Sequence, residues 1–247
     1  MFILYKKRIV LALIGFTIFL SIYGIIYENR KDDIDEYLVK EQSYNQARYV
    51  NTIPVTNKVI ILDAGHGFPD GGAVGITGAI ESNINLAITL KLQELLEESG
   101  STVVLTRSDE NGIYDVNEQS KKVSDIKNRV KIGNNCSADI FVSIHLNKIN
   151  DQRQKGWQTF YNKKSKDGKK LSEDIQYGLN EVIDKNNKRK PKTINNIYII
   201  DHVEIPTCIV ECGFLSNIKE EKKLEDAEYQ DMLAYGIYLG IIIYLYK

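Results

Sequence analysis

The feature that most restricts the fold is a short apolar run cut off by a glycine turn. Val59-Ile60-Ile61-Leu62-Asp63 leads directly into Ala64-Gly65-His66-Gly67. A continuous rather than alternating run of this kind reads as a strand buried on both faces, and such a strand needs packed layers above and below its sheet. The sequence downstream offers those layers. Ile84, Leu86, Ala87, Leu90 and Leu95 recur at helical spacing within Glu81–Ser99, and Gly100 follows as a stop signal. Further strands are predicted at Thr102–Thr106, Ile140–Ile144, Gly156–Tyr161, Ile197–Ile200 and Cys208–Cys212. Val123–Asn135, Leu171–Ile183 and Gln230–Tyr246 carry helical patterns, and Asp109–Lys121 reads as a loop. Strands alternating with helices argue for an α/β fold with a mostly parallel or mixed sheet. In such sheets ligands bind at the carboxyl ends of the strands.

A chain of 247 residues with 43% hydrophobic content can bury one substantial core but not two large ones. The formal net charge of −1 points to no nucleic acid partner, and the charged run Lys185–Lys192 reads as a solvated loop. Three cysteines imply no disulfide framework. Cys208 and Cys212 on one strand would stand about 13 Å apart, beyond the reach of about 7 Å for a disulfide, so all three, Cys136 included, read as buried thiols. At the N-terminus, Lys6, Lys7 and Arg8 precede an uncharged, mostly apolar run from Ile9 to Tyr27. At about 1.5 Å per residue such a helix nearly matches a hydrocarbon core of about 30 Å. The basic flank should stay in the cytoplasm, which exports everything downstream. A cleaved signal peptide is the rival reading. The run ends Tyr23-Gly24-Ile25-Ile26-Tyr27 without an A-x-A pattern, which favours a retained anchor. The expected organisation is therefore a transmembrane anchor over residues 1–27, a polar linker over 28–57 and a folded domain over 58–247, with no repeat and no further module.

Two of the three histidines sit where a predicted strand has just ended, His66 after Val59–Asp63 and His145 after Ile140–Ile144. Both would face one edge of the sheet. Glu211 lies near the end of the Cys208–Cys212 strand, and Glu81 opens a helix. Two imidazoles and a carboxylate make the protein half of an open catalytic zinc site, and a further carboxylate nearby can serve as base. Spacing alone leaves the plainer alternative open: a strand-end histidine held by hydrogen bonds, and a helix-opening glutamate that favours the helix dipole.

Residue motifs sharpen this. Leu62-Asp63-Ala64-Gly65-His66-Gly67 resembles the opening strand and loop of the zinc-dependent N-acetylmuramoyl-L-alanine amidases. The same family is similar to this chain in a helix-opening Glu81-Ser82-Asn83-Ile84-Asn85-Leu86, in Ser143-Ile144-His145-Leu146-Asn147, and in Val210-Glu211-Cys212-Gly213-Phe214-Leu215-Ser216-Asn217. Leu105-Thr106-Arg107, Arg129 and Gly156–Tyr161 also fit the pattern, and the resemblance spans Val59 to Tyr246. Motifs in the correct order over a whole domain are far more specific than any one alone.

The resemblance implies a single mixed sheet of about six strands flanked by helices. It implies one zinc ion held by His66, Glu81 and His145, with Glu211 as catalytic acid/base. The bond cut would be the amide joining N-acetylmuramic acid to L-alanine in peptidoglycan. The short domain and N-terminal anchor look most like sporulation and germination members, which strip peptides so that cortex muramic lactam can form. Asn147 and Asn217 are either polar walls of the substrate site or turn-forming residues. Asp201 departs from the family, where a basic residue is common, and His202 matches no ligand. Another zinc peptidoglycan hydrolase, such as a stem-peptide peptidase, needs the same metal residues and stays open. A non-catalytic wall-binding module fits less well, because all four key residues are present. The segment Asn162–Asn196 holds one ordinary helix and two charged connections, leaving little chain for an inserted inhibitory helix. Control is then expected from timing, from the anchor, or from a regulatory protein partner. The expected location is extracytoplasmic: membrane-anchored, or secreted if the N-terminal segment is cleaved.

Overall fold

The computed structural model describes residues 55–246, so the expected anchor and nearly all of the expected linker lie outside the described residues. Among the described residues no helix is long and apolar enough to cross a membrane. Val55 is fully buried, and its carbonyl accepts hydrogen bonds from the Lys58 N–H and the Ser101 hydroxyl, so residues 55–57 pack with the folded unit.

Six strands form one mixed sheet: β1 (Val59–Ala64), β2 (Thr102–Leu105), β3 (Ile140–Asn147), β4 (Gln158–Tyr161), β5 (Lys192–Thr193) and β6 (Thr207–Phe214), in the order β2-β1-β3-β6-β4-β5. Every neighbouring pair is parallel except β4 with β6. Ile60, Ile61, Leu62 and Ala64 are wholly buried, as expected for a central strand covered on both faces. Side chains alternate between those faces. Ile61 and Phe141 meet α2 (Lys121–Asn135) and α4 (Tyr198–His202) through Val130, Ile199 and Val203. The other helices are α1 (Glu81–Glu98), α3 (Lys166–Val182), α5 (Ile218–Leu224) and α6 (Ala227–Leu245), and α6 packs on α1, α3 and α5.

Ile197–Ile200 is not a strand. Ile197 caps α4 and Tyr198–Ile200 open it, and the sixth strand is the two-residue β5. A run of four apolar residues does not distinguish the two periods. What decides it is the step of four from Ile199 to Val203, which puts both on the cluster beneath the sheet. Capping residues also move helix starts ahead of the apolar pattern: Ser120, Ser165 and Asp226 each accept a bond from a backbone N–H in the first turn. Helix α5 had no periodic signal and is set by its cap, Asn217. Cys208 and Cys212 are buried and Cys136 is partly exposed, all three as free thiols.

Helices α3 and α6 touch backbone to backbone. A Cβ on Gly240 would lie 2.3 Å from the Ile175 Cα, and one on Gly178 would lie 2.3 Å from the Gly236 carbonyl oxygen. Gly240→Ala should therefore lower stability by about 1–3 kcal/mol, because overpacking outweighs the gain of about 1 kcal/mol in helix propensity. Equilibrium denaturation measures it, and a stabilised variant would contradict the close crossing.

Candidate active site

The loop after β1 is held by two buried arginines. His66 has φ +62°, a left-handed conformation that costs a non-glycine residue about 1–3 kcal/mol unless its surroundings enforce it. Arg129 enforces it: Nη2 donates to the His66 carbonyl at 2.5 Å and Nη1 to the Ala64 carbonyl at 2.7 Å. Arg107 adds bonds to the carbonyls of Ala64 (2.8 Å) and Gly65 (3.1 Å). The Arg129 charge is met by Asp63 and Asp125, each at 2.6 Å. Asp63 also accepts from the hydroxyls of Thr106 (2.7 Å) and Ser143 (2.5 Å). Burial pushes the Asp63 carboxyl up, but Arg129 and the two hydroxyls outweigh it and hold it below the ordinary range. Arg107 is pushed down to about 10 by burial and by the nearby Arg129 charge.

Glu81 opens α1 without a side-chain cap. The loop before it does the capping: Ala73 and Gly71 offer their carbonyls to the N–H groups of Glu81 (2.9 Å) and Ser82 (3.0 Å). The Ala73 N–H donates in return to Glu81 Oε2 at 2.8 Å, and the Leu146 N–H donates to Oε1 at 3.1 Å. This fixes the carboxylate between the two imidazoles. Oε1 lies 3.3 Å from His66 Nε2 and 3.1 Å from His145 Nδ1, and the rings meet edge to face with centroids 5.0 Å apart. Burial works against the Glu81 charge, but the bonds and charges of His145 and His66 overcome it and hold the pKa far below the ordinary value. Burial likewise opposes protonation of His145, yet Glu81 raises its pKa.

His66, Glu81 and His145 form a group that could hold a metal ion, each offering one ligand atom, all within 4.8 Å of one another. Ligands about 2.0–2.2 Å from a tetrahedral zinc stand about 3.3–3.6 Å apart, close to the two separations from Glu81. The backbone leaves room for this cradle only where there is no side chain. A Cβ on Gly65 would lie 2.3 Å from the His145 ring, and one on Gly72 would lie 2.6 Å from Glu81 Oε2.

Glu211 pairs in register with His145 across β3 and β6 and lines the same cleft. Its Oε2 is buried and has no hydrogen-bond partner. Burial, reinforced by the Glu81 charge and opposed by His145, pushes its pKa up to about 7. The cleft holds about 410 Å³ and has an apolar wall of Ile126, Ile194, Ile197, Ile199 and Ile209.

Asn147 and Asn217 are not among the residues lining that cleft. Asn217 spends its side chain on the first turn of α5, accepting from Lys219 and Glu220, and on the Gln154 carbonyl at 3.2 Å. His202 is exposed, ends α4 and stacks on Tyr198 at its start. Three supports were not singled out as site residues in the sequence. Asp70 contacts the His66 ring, Asn85 bonds the Gly65 carbonyl, and the buried Glu221 accepts from Thr77 and Ala79 and so ties down the loop that precedes Glu81. Asp70 left a trace in the sequence, four residues after His66, and Asn85 stands within the Glu81–Leu86 motif.

A mixed α/β sheet with two imidazoles and a carboxylate gathered beside the ends of its parallel strands has the donor set of a mononuclear metallohydrolase. Residues 60–242 match the family model described as N-acetylmuramoyl-L-alanine amidase, and the chain belongs to that family. The germination-specific N-acetylmuramoyl-L-alanine amidase of Bacillus subtilis (strain 168) is 37% identical over 196 residues, covering 78% of this chain and 82% of that protein. The CwlD amidase from Clostridioides difficile, solved in complex with the GerS lipoprotein, is 47% identical with a TM-score of 0.74, covering 76% of this chain and 98% of that one. The N-acetylmuramoyl-L-alanine amidase from Clostridium difficile 630 is 33% identical with a TM-score of 0.68, covering 77% of this chain and 97% of that one.

Proposed function

We propose that this protein is a zinc-dependent amidase that cuts the bond between N-acetylmuramic acid and L-alanine in peptidoglycan, acting on spore cortex in germination. The observation that carries this reading is the carboxylate of Glu211, with one buried unpartnered oxygen, beside the His66, Glu81 and His145 cradle in a chain of this family. The donor set and its spacing fit zinc. Bound there, zinc supplies Lewis acidity and lowers the pKa of water toward about 7.

The residues of the chain do the rest. Glu211 takes a proton from the attacking water as the new C–O bond forms, and returns it to the nitrogen of L-alanine as the C–N bond breaks. A pKa raised toward neutrality suits a group that must do both. The isoleucine wall excludes bulk water from one side of the cleft that Glu211 lines. Arg107 and Arg129 hold the His66 loop still, and the loop carbonyls fix Glu81.

The test is digestion of cortex peptidoglycan by the purified full-length chain, with and without chelator, followed by mass analysis. Intact stem peptides beginning at L-alanine, released only when zinc is available, support the amidase. Shortened stem peptides left on the glycan would show a peptidase instead.

Location and control complete the proposal. The apolar run Ile9–Tyr27 after Lys6, Lys7 and Arg8 anchors the chain, with the amidase domain outside the membrane. Protease added to intact protoplasts should remove the domain, whereas digestion only after lysis contradicts this orientation. A regulatory partner fits a domain with one ordinary helix between β4 and α4, and the CwlD relative was solved with a lipoprotein.

A further inference from the structure

The His66 ring uses both of its nitrogens. Nε2 faces the cradle, 3.3 Å from Glu81 Oε1, while Nδ1 lies 3.2 Å from Asp70 Oδ2 on the opposite side. Asp70 is brought back to the ring by a tight turn, in which Gly67 and Asp70 exchange backbone N–H to carbonyl bonds, both 2.9 Å. Its other oxygen accepts from the Gly72 N–H at 3.2 Å, and Lys122 Nζ lies 3.0 Å from Oδ2. The carboxylate is thus fixed by backbone on one side and shared between an imidazole and an ammonium on the other.

An ionised carboxylate can only accept, so the imidazole must donate from Nδ1. With a proton held on Nδ1, Nε2 is the nitrogen that can give its lone pair to a metal in the cradle; in the metal-free site it faces the Glu81 carboxylate. A carboxylate that bonds the far nitrogen of a ligating imidazole in this way fixes its tautomer and the orientation of the ring. We propose that Asp70 is a positioning residue of the site, setting the tautomer and orientation of His66 and through them the strength of metal retention. This rests on reading the cradle as a zinc centre. Lys122 competes for the same Asp70 oxygen, so its removal should leave retention equal or stronger, whereas loss of Asp70 weakens it.

The experiment compares the full-length wild type with Asp70→Ala, Asp70→Asn and Lys122→Met, using zinc alone as the probe and a chromogenic chelator as competitor. Asp70→Ala should bind zinc about 10–100-fold more weakly, with Asp70→Asn between it and wild type and Lys122→Met at wild-type level or tighter. Nitrogen NMR of the metal-free proteins supplies a readout that general loosening of the loop would not produce. Nδ1 of His66 should carry a proton in wild type and lose it in Asp70→Ala, where only the Glu81 side of the ring still offers a carboxylate. Wild type that retains zinc alongside an Asp70→Ala variant within twofold of it overturns the role of Asp70 and leaves the zinc centre standing. A wild type that retains no zinc removes the zinc centre itself, and the role of Asp70 falls with it.

Discussion

Glu211→Gln is expected to reduce kcat by about 10²–10⁴-fold, the usual contribution of general acid/base catalysis, while zinc content and folding stay at wild-type level. The amide matches the carboxylate in size, so β6 and the cleft wall should not rearrange. What it lacks is the ability to take a proton and give it back. The unpartnered Oε2 makes this a clean substitution, because no hydrogen bond to that atom is lost. His66→Ala and His145→Ala should behave differently. Each removes one of three donors, and each should lose zinc and activity together. Metal analysis beside kcat therefore separates the two roles. A Glu211→Gln enzyme with near-normal kcat would remove Glu211 from the mechanism, and a His66→Ala protein with full zinc content would remove His66 from the ligand set.

The residues proposed to carry the chemistry stand at positions with strong local signals in the sequence. His66 follows the buried apolar strand β1, His145 follows the apolar run Ile140–Ile144 and lies inside β3, which extends beyond that run, and Glu81 and Glu211 lie in motifs of a recognisable family. The parallel core of the sheet was legible for the same reason, since continuous apolar runs such as Ile60–Leu62 and Ile140–Val142 have few other places to go. The edge of the sheet was not. β5 is two exposed residues, Lys192 and Thr193, with no apolar pattern, and it is defined only by its pairing with Phe160 and Tyr161. Ile197–Ile200 looked like a strand because four apolar residues fit either period, and tertiary contact with Phe141 and Val130 decided for helix. The supports of the site, Asp70, Asn85 and Glu221, were hidden for a different reason. The sequence does not specify the loop paths that bring Asp70 to the His66 ring, the Gly65 carbonyl to Asn85, or the Thr77–Ala79 backbone to Glu221. Asn217 shows how sequence leaves alternatives open: it read as either a wall of the substrate site or a turn-forming residue, and its side chain is spent capping α5.

Arg129→Met should destabilise the fold by about 3–5 kcal/mol, the range for stripping one partner from a buried ion pair. Arg129 and Asp63 are both almost fully buried. Once the guanidinium is gone, Asp63 keeps the bonds from Thr106 and Ser143 but loses the only cation within hydrogen-bond distance of it among the described residues. The charge also has a pH signature. The Asp63 pKa is lower in the folded state, so the pair stabilises fully above the unfolded value of about 3.9 and loses that contribution as pH falls through the folded one. The difference between wild type and Arg129→Met should therefore be large at neutral pH and shrink under acid conditions. An exposed pair gives the contrast. Lys91→Met breaks the ion pair with Asp231 on the surface and should cost no more than about 1 kcal/mol. Buried ion pairs are often no better for stability than well-packed apolar groups, so their retention calls for another reason. Here the reason is geometric. The same guanidinium that neutralises Asp63 also donates to the carbonyls of Ala64 and His66, and so holds His66 in its left-handed turn. Arg129→Met should then bind zinc more weakly even in mild conditions where the protein remains folded. Denaturation midpoints together with chelator competition test both effects. A loss below about 1 kcal/mol would show that Asp63 finds compensation elsewhere, and unchanged zinc affinity would show that the loop keeps its shape without the arginine.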